Sequence, residues 1–302
     1  MRSIVWLSSF LLLFVASCAQ QPAPSASSTE VDTQALAFGA AVWTYSDLVG
    51  QPKVKTAFYN FASSHPINNI YLEAEYNLQN RPAQLASFIQ DAASRKFKVE
   101  LLTGYSNWAL VANQPRAVAF AQSAAKFAQQ YPQTTGTSLH LDVEPYLLPE
   151  WTVSPQNVAS QYLDMLAQVK TTLGSSMKLT VDIPCWFDEI QVTRNSQTRP
   201  LSEWVIAAVD TTVLMDYRDT TQGIINSGYN EILYAGALGK KVVLGVNTKN
   251  ENGLSPASTT FYEEGTRSME KTLSTVNSNL SLQAGYGGLA IFTYEDYSKL
   301  RK

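Results

Sequence analysis

The sequence predicts a single (β/α)8 TIM barrel, and three observations carry that reading. Extended apolar runs take turns with amphipathic helical segments, the runs number eight, and polar and aromatic residues gather at their C-terminal ends, where such a barrel builds its active site. A body of roughly 265 residues fits the ~250 typical of the fold. The competing architecture, a doubly wound open sheet, wants a Gly-rich phosphate turn after its first strand. Trp43-Thr44-Tyr45-Ser46-Asp47 is nothing of that kind.

The front end is set apart from this body. Arg2 precedes an apolar run from Ile4 to Ala16, too short to span a bilayer comfortably, so residues 1–17 read as an export signal. Its end, Val15-Ala16-Ser17-Cys18, resembles the lipobox of bacterial lipoproteins. That resemblance implies a lipidated Cys18 and a chain anchored to the bacterial cell envelope, the alternative being a secretory signal cut nearby. Residues 18–35 are rich in Gln, Pro, Ala, Ser and Thr and read as a flexible tether, leaving residues 36–302 for the barrel. Cys185 is then the one remaining thiol, so no intramolecular disulfide is expected, and its apolar surroundings make it an inert core residue.

Of 302 residues, 45% are hydrophobic and 16% charged, enough for an ample core. A net charge of -3 with no run of Lys or Arg excludes nucleic acid as a partner, because phosphate binding needs a concentrated basic face. No cofactor motif is present, and the sequence carries no signal of oligomeric state.

The eight strands expected are 38–44, 69–74, 98–103, 138–144, 178–183, 212–217, 241–246 and 288–293. Helical periodicity lies between them, as in Leu85, Phe88, Ile89 and Ala92. The segment after the fourth strand opens with Ser154-Pro155, an N-cap before a Pro at the first helical position. It presents Val158, Tyr162, Met165 and Val169 on one face, and closes near Gly174. A stubby last helix ends the chain. The strand ends then place Trp43 and Tyr45, Tyr71 with Glu73, Glu75 and Tyr76, Tyr105 and Trp108, and Tyr146 around the mouth. Asp182, Trp186 and Asp188, Asp216 to Asp219, Asn247, Tyr294 and Glu295 complete it. Exposed rings beside carboxylates suit flat, polar-edged ligands with apolar faces, meaning sugars.

The fourth strand is where the chemistry concentrates. Leu139, Leu141 and Val143 alternate with His140, Asp142 and Glu144, so the polar three share one face and the two carboxylates stand roughly 7 Å apart. Pro145 ends the ladder and leaves Glu144 at its mouth. Glycosidic cleavage normally uses two separated carboxyl groups, and the seventh strand, ending Val246-Asn247-Thr248, supplies none. A close Asp-x-Glu pair suits substrate-assisted catalysis, in which the 2-acetamido oxygen of the substrate is the nucleophile.

These residues resemble the family 18 glycoside hydrolases, the chitinase and endo-N-acetylglucosaminidase-like barrels. Their fourth strand carries D-x-x-D-x-D-x-E, matched here by Asp142 and Glu144, with Thr137 and His140 in place of the earlier acids. Their sixth strand carries Met-x-Tyr-Asp, against Met215-Asp216-Tyr217-Arg218. Their eighth ends in a Trp that floors the sugar site, against Thr293-Tyr294-Glu295. The resemblance implies Glu144 as general acid, Asp142 as its stabilising partner and Tyr217 as a hydrogen-bond donor to the acetamido or nucleophile oxygen. Trp43, Tyr71, Glu73, Glu75, Trp108, His140, Tyr146, Asp182, Trp186, Asp216, Arg218, Tyr294 and Glu295 are the candidate substrate-binding residues around them. His140, lower on the same face, is expected to hold Asp142 or to be satisfied within the barrel, and Arg218 to pair with a neighbouring acid.

The leading reading is a lipid-anchored hydrolase of N-acetylated polysaccharide. A second is a glycan-binding barrel that has lost catalysis. A third is a metal-dependent hydrolase in which Glu73, Glu75, Asp142, Glu144 and Asp216 converge as hard oxygen ligands. A three-His zinc site is excluded by a chain with two His.

Overall fold

A computed structural model describes residues 38–253 and 255–302. The expected export signal, Cys18 and the tether lie outside the described residues. Within them no helix is long and apolar enough to cross a membrane.

Ten strands form: β1 (Ala40–Thr44), β2 (Ile67–Glu73), β3 (Lys98–Thr103), β4 (Ser138–Leu141), β5 (Leu179–Pro184), β6 (Gln191–Arg194), β7 (Gln197–Pro200), β8 (Thr211–Met215), β9 (Lys241–Asn247) and β10 (Tyr286–Phe292). Eight of them, all but β6 and β7, close into a parallel barrel in the order β1, β10, β9, β8, β5, β4, β3, β2. These eight coincide with the expected runs, each within two residues at its start. The antiparallel β6–β7 hairpin is an insertion between the fifth and sixth barrel strands that strand counting did not anticipate.

The helices are α1 (Pro52–Ala62), α2 (Glu75–Asn80), α3 (Pro82–Ser94), α4 (Gln114–Gln130), α5 (Pro149–Val153), α6 (Pro155–Leu173), α7 (Leu201–Ala208), α8 (Thr221–Ala237), α9 (Gly265–Leu280) and α10 (Tyr294–Tyr297). Five of them carry Pro in the first two positions, where the missing N–H costs nothing and the fixed φ suits the helix. Ser154 stands at the N-cap of α6 as expected, but its side chain makes no capping hydrogen bond, so Pro155 is the start signal that operates. Gly174 ends the helix at φ +53, a conformation an L side chain rarely adopts.

Two cores follow from strand alternation. Outward residues such as Val42, Leu72, Leu101 and Leu244 pack against the helices in one large apolar layer, and Cys185 is buried as well. Inside the barrel lies a smaller set, Ala41, Trp43, Tyr71, Leu102, Val213, Val243 and Ala290. Gly245 is required there: a Cβ would stand 2.9 Å from the Trp43 ring and 3.0 Å from the Leu214 carbonyl, so the glycine makes room for the indole to cross the barrel.

Candidate active site

The floor of the site is a buried polar chain inside the barrel. Trp43, at the end of β1, donates from Nε1 to Asp182 Oδ2 at 3.1 Å, and His140 Nε2 meets Asp182 Oδ1 at 2.8 Å. His140 Nδ1 stands 3.4 Å from Glu100 Oε2, while Asn69 donates to the other Glu100 oxygen at 2.9 Å. Tyr71 sets its ring edge-on to both Trp43, at 4.9 Å, and His140, at 4.3 Å. Burial alone would depress the imidazole, but Asp182 and Glu100 outweigh it and push the pKa of His140 up to about 10. Burial raises the Glu100 carboxyl, yet hydrogen bonds from His140 and Asn69 bring it below the ordinary glutamate value. His140 therefore is a charged imidazolium held by two acids.

Of the two expectations for His140, satisfaction within the barrel is the one that forms: its partner is Asp182 on the neighbouring strand, and it does not hold Asp142. The burial of this floor corrects four candidate sugar contacts. Trp43, Tyr71, His140 and Asp182 are each at most 1% exposed, and they form the support beneath the site rather than its wall. Glu100 was missed because the third strand reads as an apolar run, whereas alternation turns this acid inward beside Leu102.

Above this floor stand the two carboxylates. β4 ends at Leu141, earlier than expected, but the Asp142 amide still donates to Thr103 O at 2.9 Å and keeps the chain in register with β3. The backbones run so close here that a Cβ on Gly104 would fall 1.8 Å from the Asp142 carbonyl oxygen. Asp142 Oδ1 is buried with no hydrogen-bond partner among the described residues. Glu144 Oε1 accepts the hydroxyl of Tyr146. Burial, then the neighbouring Glu144 and Asp182, raise Asp142 well above the ordinary aspartate range. Burial raises Glu144 as well, with the Tyr146 hydroxyl pulling the other way and Asp182 adding to the rise. A raised Glu beside a second acid is what a proton donor near neutral pH requires.

The wall is aromatic. Tyr217, two residues beyond the inward Met215, turns inward, and burial followed by the charges of Glu144, Asp142 and Asp182 raises its phenol. Tyr45, 45% exposed at the rim, is raised by lost hydration and by Asp142, Asp182 and Glu144. Phe292 closes the group, 5.8 Å from Trp43, 6.4 Å from Tyr45 and 6.2 Å from Tyr217 between ring centroids. It stands where the expected eighth-strand ring was sought one residue too late, at Thr293-Tyr294-Glu295. Asp142, Glu144, Tyr146, Tyr217 and Phe292 are all half-buried, so solvent partly reaches the acid pair and the rings around it.

Other candidates go elsewhere. Asp216 faces outward, is fully buried and accepts the hydroxyl of Ser227 on α8. Arg218 donates to the Tyr217 carbonyl at 3.0 Å and pairs with no acid among the described residues, against expectation. Tyr294 packs edge-on to Phe58 and Phe61 of α1, in the helical layer. Glu295 takes four donors on one oxygen, Thr44 Oγ1, Tyr45 N, Ser46 N and Ser46 Oγ at 2.6 to 3.0 Å, and so fixes the loop that carries Tyr45. Trp186 packs against Tyr146 at 5.1 Å and adjoins the site through it. Glu73, half-buried and raised by burial, accepts the Glu75 amide. Glu75 accepts the Tyr105 hydroxyl at 2.7 Å. With Tyr105, Arg116 and the buried Trp108 it lines an open recess of about 400 Å³ between α2 and α4. The five acids named for a metal therefore do not converge, and among the described residues no group of three or more His, Cys, Asp or Glu could hold one.

No protein-family model and no curated protein matches the sequence. Solved structures do. The chain is similar to a GH18 chitinase from Pseudoalteromonas aurantia, at 12% identity over 85% of this chain and 94% of that one, with a TM-score of 0.50. A chitinase from Bacteroides thetaiotaomicron aligns at 13% identity over 87% and 93%, TM-score 0.52. The Bacillus cereus spore cortex-lytic enzyme SleL aligns at 13% over 86% and 71%, TM-score 0.50. What the chain shares with these enzymes is the fold, a closed barrel of eight parallel strands.

Proposed function

We propose that the protein hydrolyses an N-acetylated polysaccharide with retention of configuration, using the acetamido group of its own substrate as nucleophile. The observation that supports this most is the convergence of Asp142, Glu144 and Tyr217 at one bowl above a charged, buried floor. Glu144, its carboxyl raised by burial, donates the proton to the departing glycosidic oxygen and later takes one from water. Asp142, ionised or sharing the proton of the pair, accepts from the acetamido N–H and steadies the positive charge that builds as the carbonyl oxygen closes on the anomeric carbon. Its Oδ1 has no hydrogen-bond partner among the described residues. Tyr217 donates to the acetamido oxygen and aims it. Tyr45 and Phe292 offer ring faces to the sugar.

The departures from the family pattern do not remove this machinery. An acid below Asp142 is replaced by His140, whose charge is satisfied sideways by Asp182 and Glu100. The chain is further proposed to be exported and held to the envelope through Cys18. Replacing Glu144→Gln tests the catalytic reading. Turnover of an N-acetylglucosamine oligomer should fall by about 10² to 10⁴, the usual worth of general acid catalysis, with binding retained. Equal turnover in the variant would end the mechanism. Binding without any release of product by the wild type would favour a glycan-binding barrel.

A further inference from the structure

We propose that the N-terminal face of the barrel is a docking surface for anionic phospholipid, so that the strand starts lie on a bilayer and the bowl points away from it. The face is defined by topology: every barrel strand begins there, and every helix-to-strand loop passes through it. Five lysines stand on it, Lys96, Lys98, Lys178, Lys240 and Lys241, and none of them forms an ion pair among the described residues. The acids on the same face are already engaged, Asp91 with Arg95 and Lys55, and Asp210 with Lys170 and the Leu179 amide. Lys240 and Lys241 direct their ammonium groups at the Val209 and Ala284 carbonyls, which places fixed charge at the rim without neutralising it. The opposite end of the strands mixes both signs, Glu73, Glu75, Asp142 and Glu144 with Arg116, Arg218 and Lys249, while Asp47 pairs with Arg81.

Two further features of this face point to a bilayer rather than to a soluble anion. Leu282, in the loop before β10, is 95% exposed, and Leu238, in the loop before β9, is 45% exposed. An apolar side chain left in water between lysines is suited to the headgroup and acyl boundary. The same face holds a recess of about 370 Å³ lined by Tyr59, His65, Asn68, Arg95, Lys96 and Phe97, in which Arg95 pairs with Asp91 and His65 with Glu270, leaving Lys96 without an acid among the described residues. The chain enters the barrel next to it, since Gly39 abuts the Asn68 side chain so closely that a Cβ would collide with it at 2.0 Å. A tether running from Cys18 to Phe38 would therefore join the body on the face that carries the lysines.

The surface is tested by sedimentation with vesicles, in a Cys18→Ala background so that no attached lipid contributes. The full chain is compared with the same chain carrying Lys96→Gln, Lys98→Gln, Lys178→Gln and Lys241→Gln. Any insertion of the apolar N-terminal run is common to both, so the difference between them reads the face alone. Each lysine near an anionic bilayer contributes on the order of fivefold in partitioning. The parent should bind vesicles containing phosphatidylglycerol in preference to pure phosphatidylcholine, and lose that preference as salt rises. The quadruple variant should bind about 600-fold less, fivefold for each of its four lysines. Four Lys→Arg changes should preserve binding, Leu282→Ser should weaken it, and all variants should keep the parent's activity on a soluble oligosaccharide. Equal binding to both vesicle types, or retention on a soluble polyanion with none on vesicles, would overturn the proposal. Neither result touches the catalytic reading.

Discussion

Replacing Asp182→Asn removes the acid on which the floor of the site rests while keeping its shape. The wild-type carboxylate accepts two donors, the Trp43 indole at 3.1 Å and the His140 imidazole at 2.8 Å. An asparagine has one acceptor oxygen, so either the indole or the imidazole faces an N–H, and the buried imidazolium loses its nearest counter-charge. Both side chains are essentially unexposed, so solvent offers no relief. Removing one member of a buried pair costs about 3 to 5 kcal/mol. The pH dependence provides a second, independent readout. His140 titrates at about 10 when folded against an ordinary value of 6.5, so its contribution is fully present below about 6.5 and is lost as pH rises through about 10. That shift corresponds to about 5 kcal/mol. Denaturant unfolding from pH 6 to pH 10 should show wild-type stability declining across the window. The variant should be less stable at pH 7 by about 3 to 5 kcal/mol, with a flatter profile. A loss below about 1 kcal/mol with an unchanged slope would refute the coupling of His140 to Asp182.

Two further perturbations follow from the same geometry. Tyr146→Phe removes the hydrogen bond that opposes the rise of Glu144, so the alkaline limb of kcat/KM, where the acid loses its proton, should move to higher pH. An unmoved limb would show that Glu144 is not the group titrating. Gly104→Ala forces the Asp142 backbone aside, and a shift of about 1 Å at a reacting group costs up to about 10²-fold in rate. Turnover should fall much further than substrate affinity, and an active Ala variant would mean that the position of Asp142 is not critical.

The barrel was legible in the sequence because its signal repeats. Each strand is a short apolar run, each is followed by helical periodicity, and Pro at helix starts marks the boundaries independently. The β6–β7 hairpin escaped because Gln191 to Pro200 is polar and mostly exposed, with Val192 as its one buried residue and so no period to read. At the site, alternation placed Asp142 and Glu144 together and sent Tyr217 inward, but it was read without regard to depth. Trp43, Tyr71 and His140 share the inward face with the acid pair yet sit lower, where barrel packing excludes solvent. Depth along a strand is set by the stagger between neighbours, and a single strand's sequence does not contain it. Asp216 was drawn to the mouth by proximity to Tyr217 even though the same alternation sends it outward. Phe292 was overlooked because the eighth strand ends one residue earlier than its apolar run suggested.

The central claim concerns who supplies the nucleophile. Hydrolysis of an N-acetylglucosamine oligomer, followed by proton NMR from the first turnovers, reads the anomer released before it equilibrates. The account predicts product of retained configuration from the acetylated oligomer and no hydrolysis of the same oligomer without its acetyl groups. Inverted product, or equal turnover of the deacetylated chain, would contradict it.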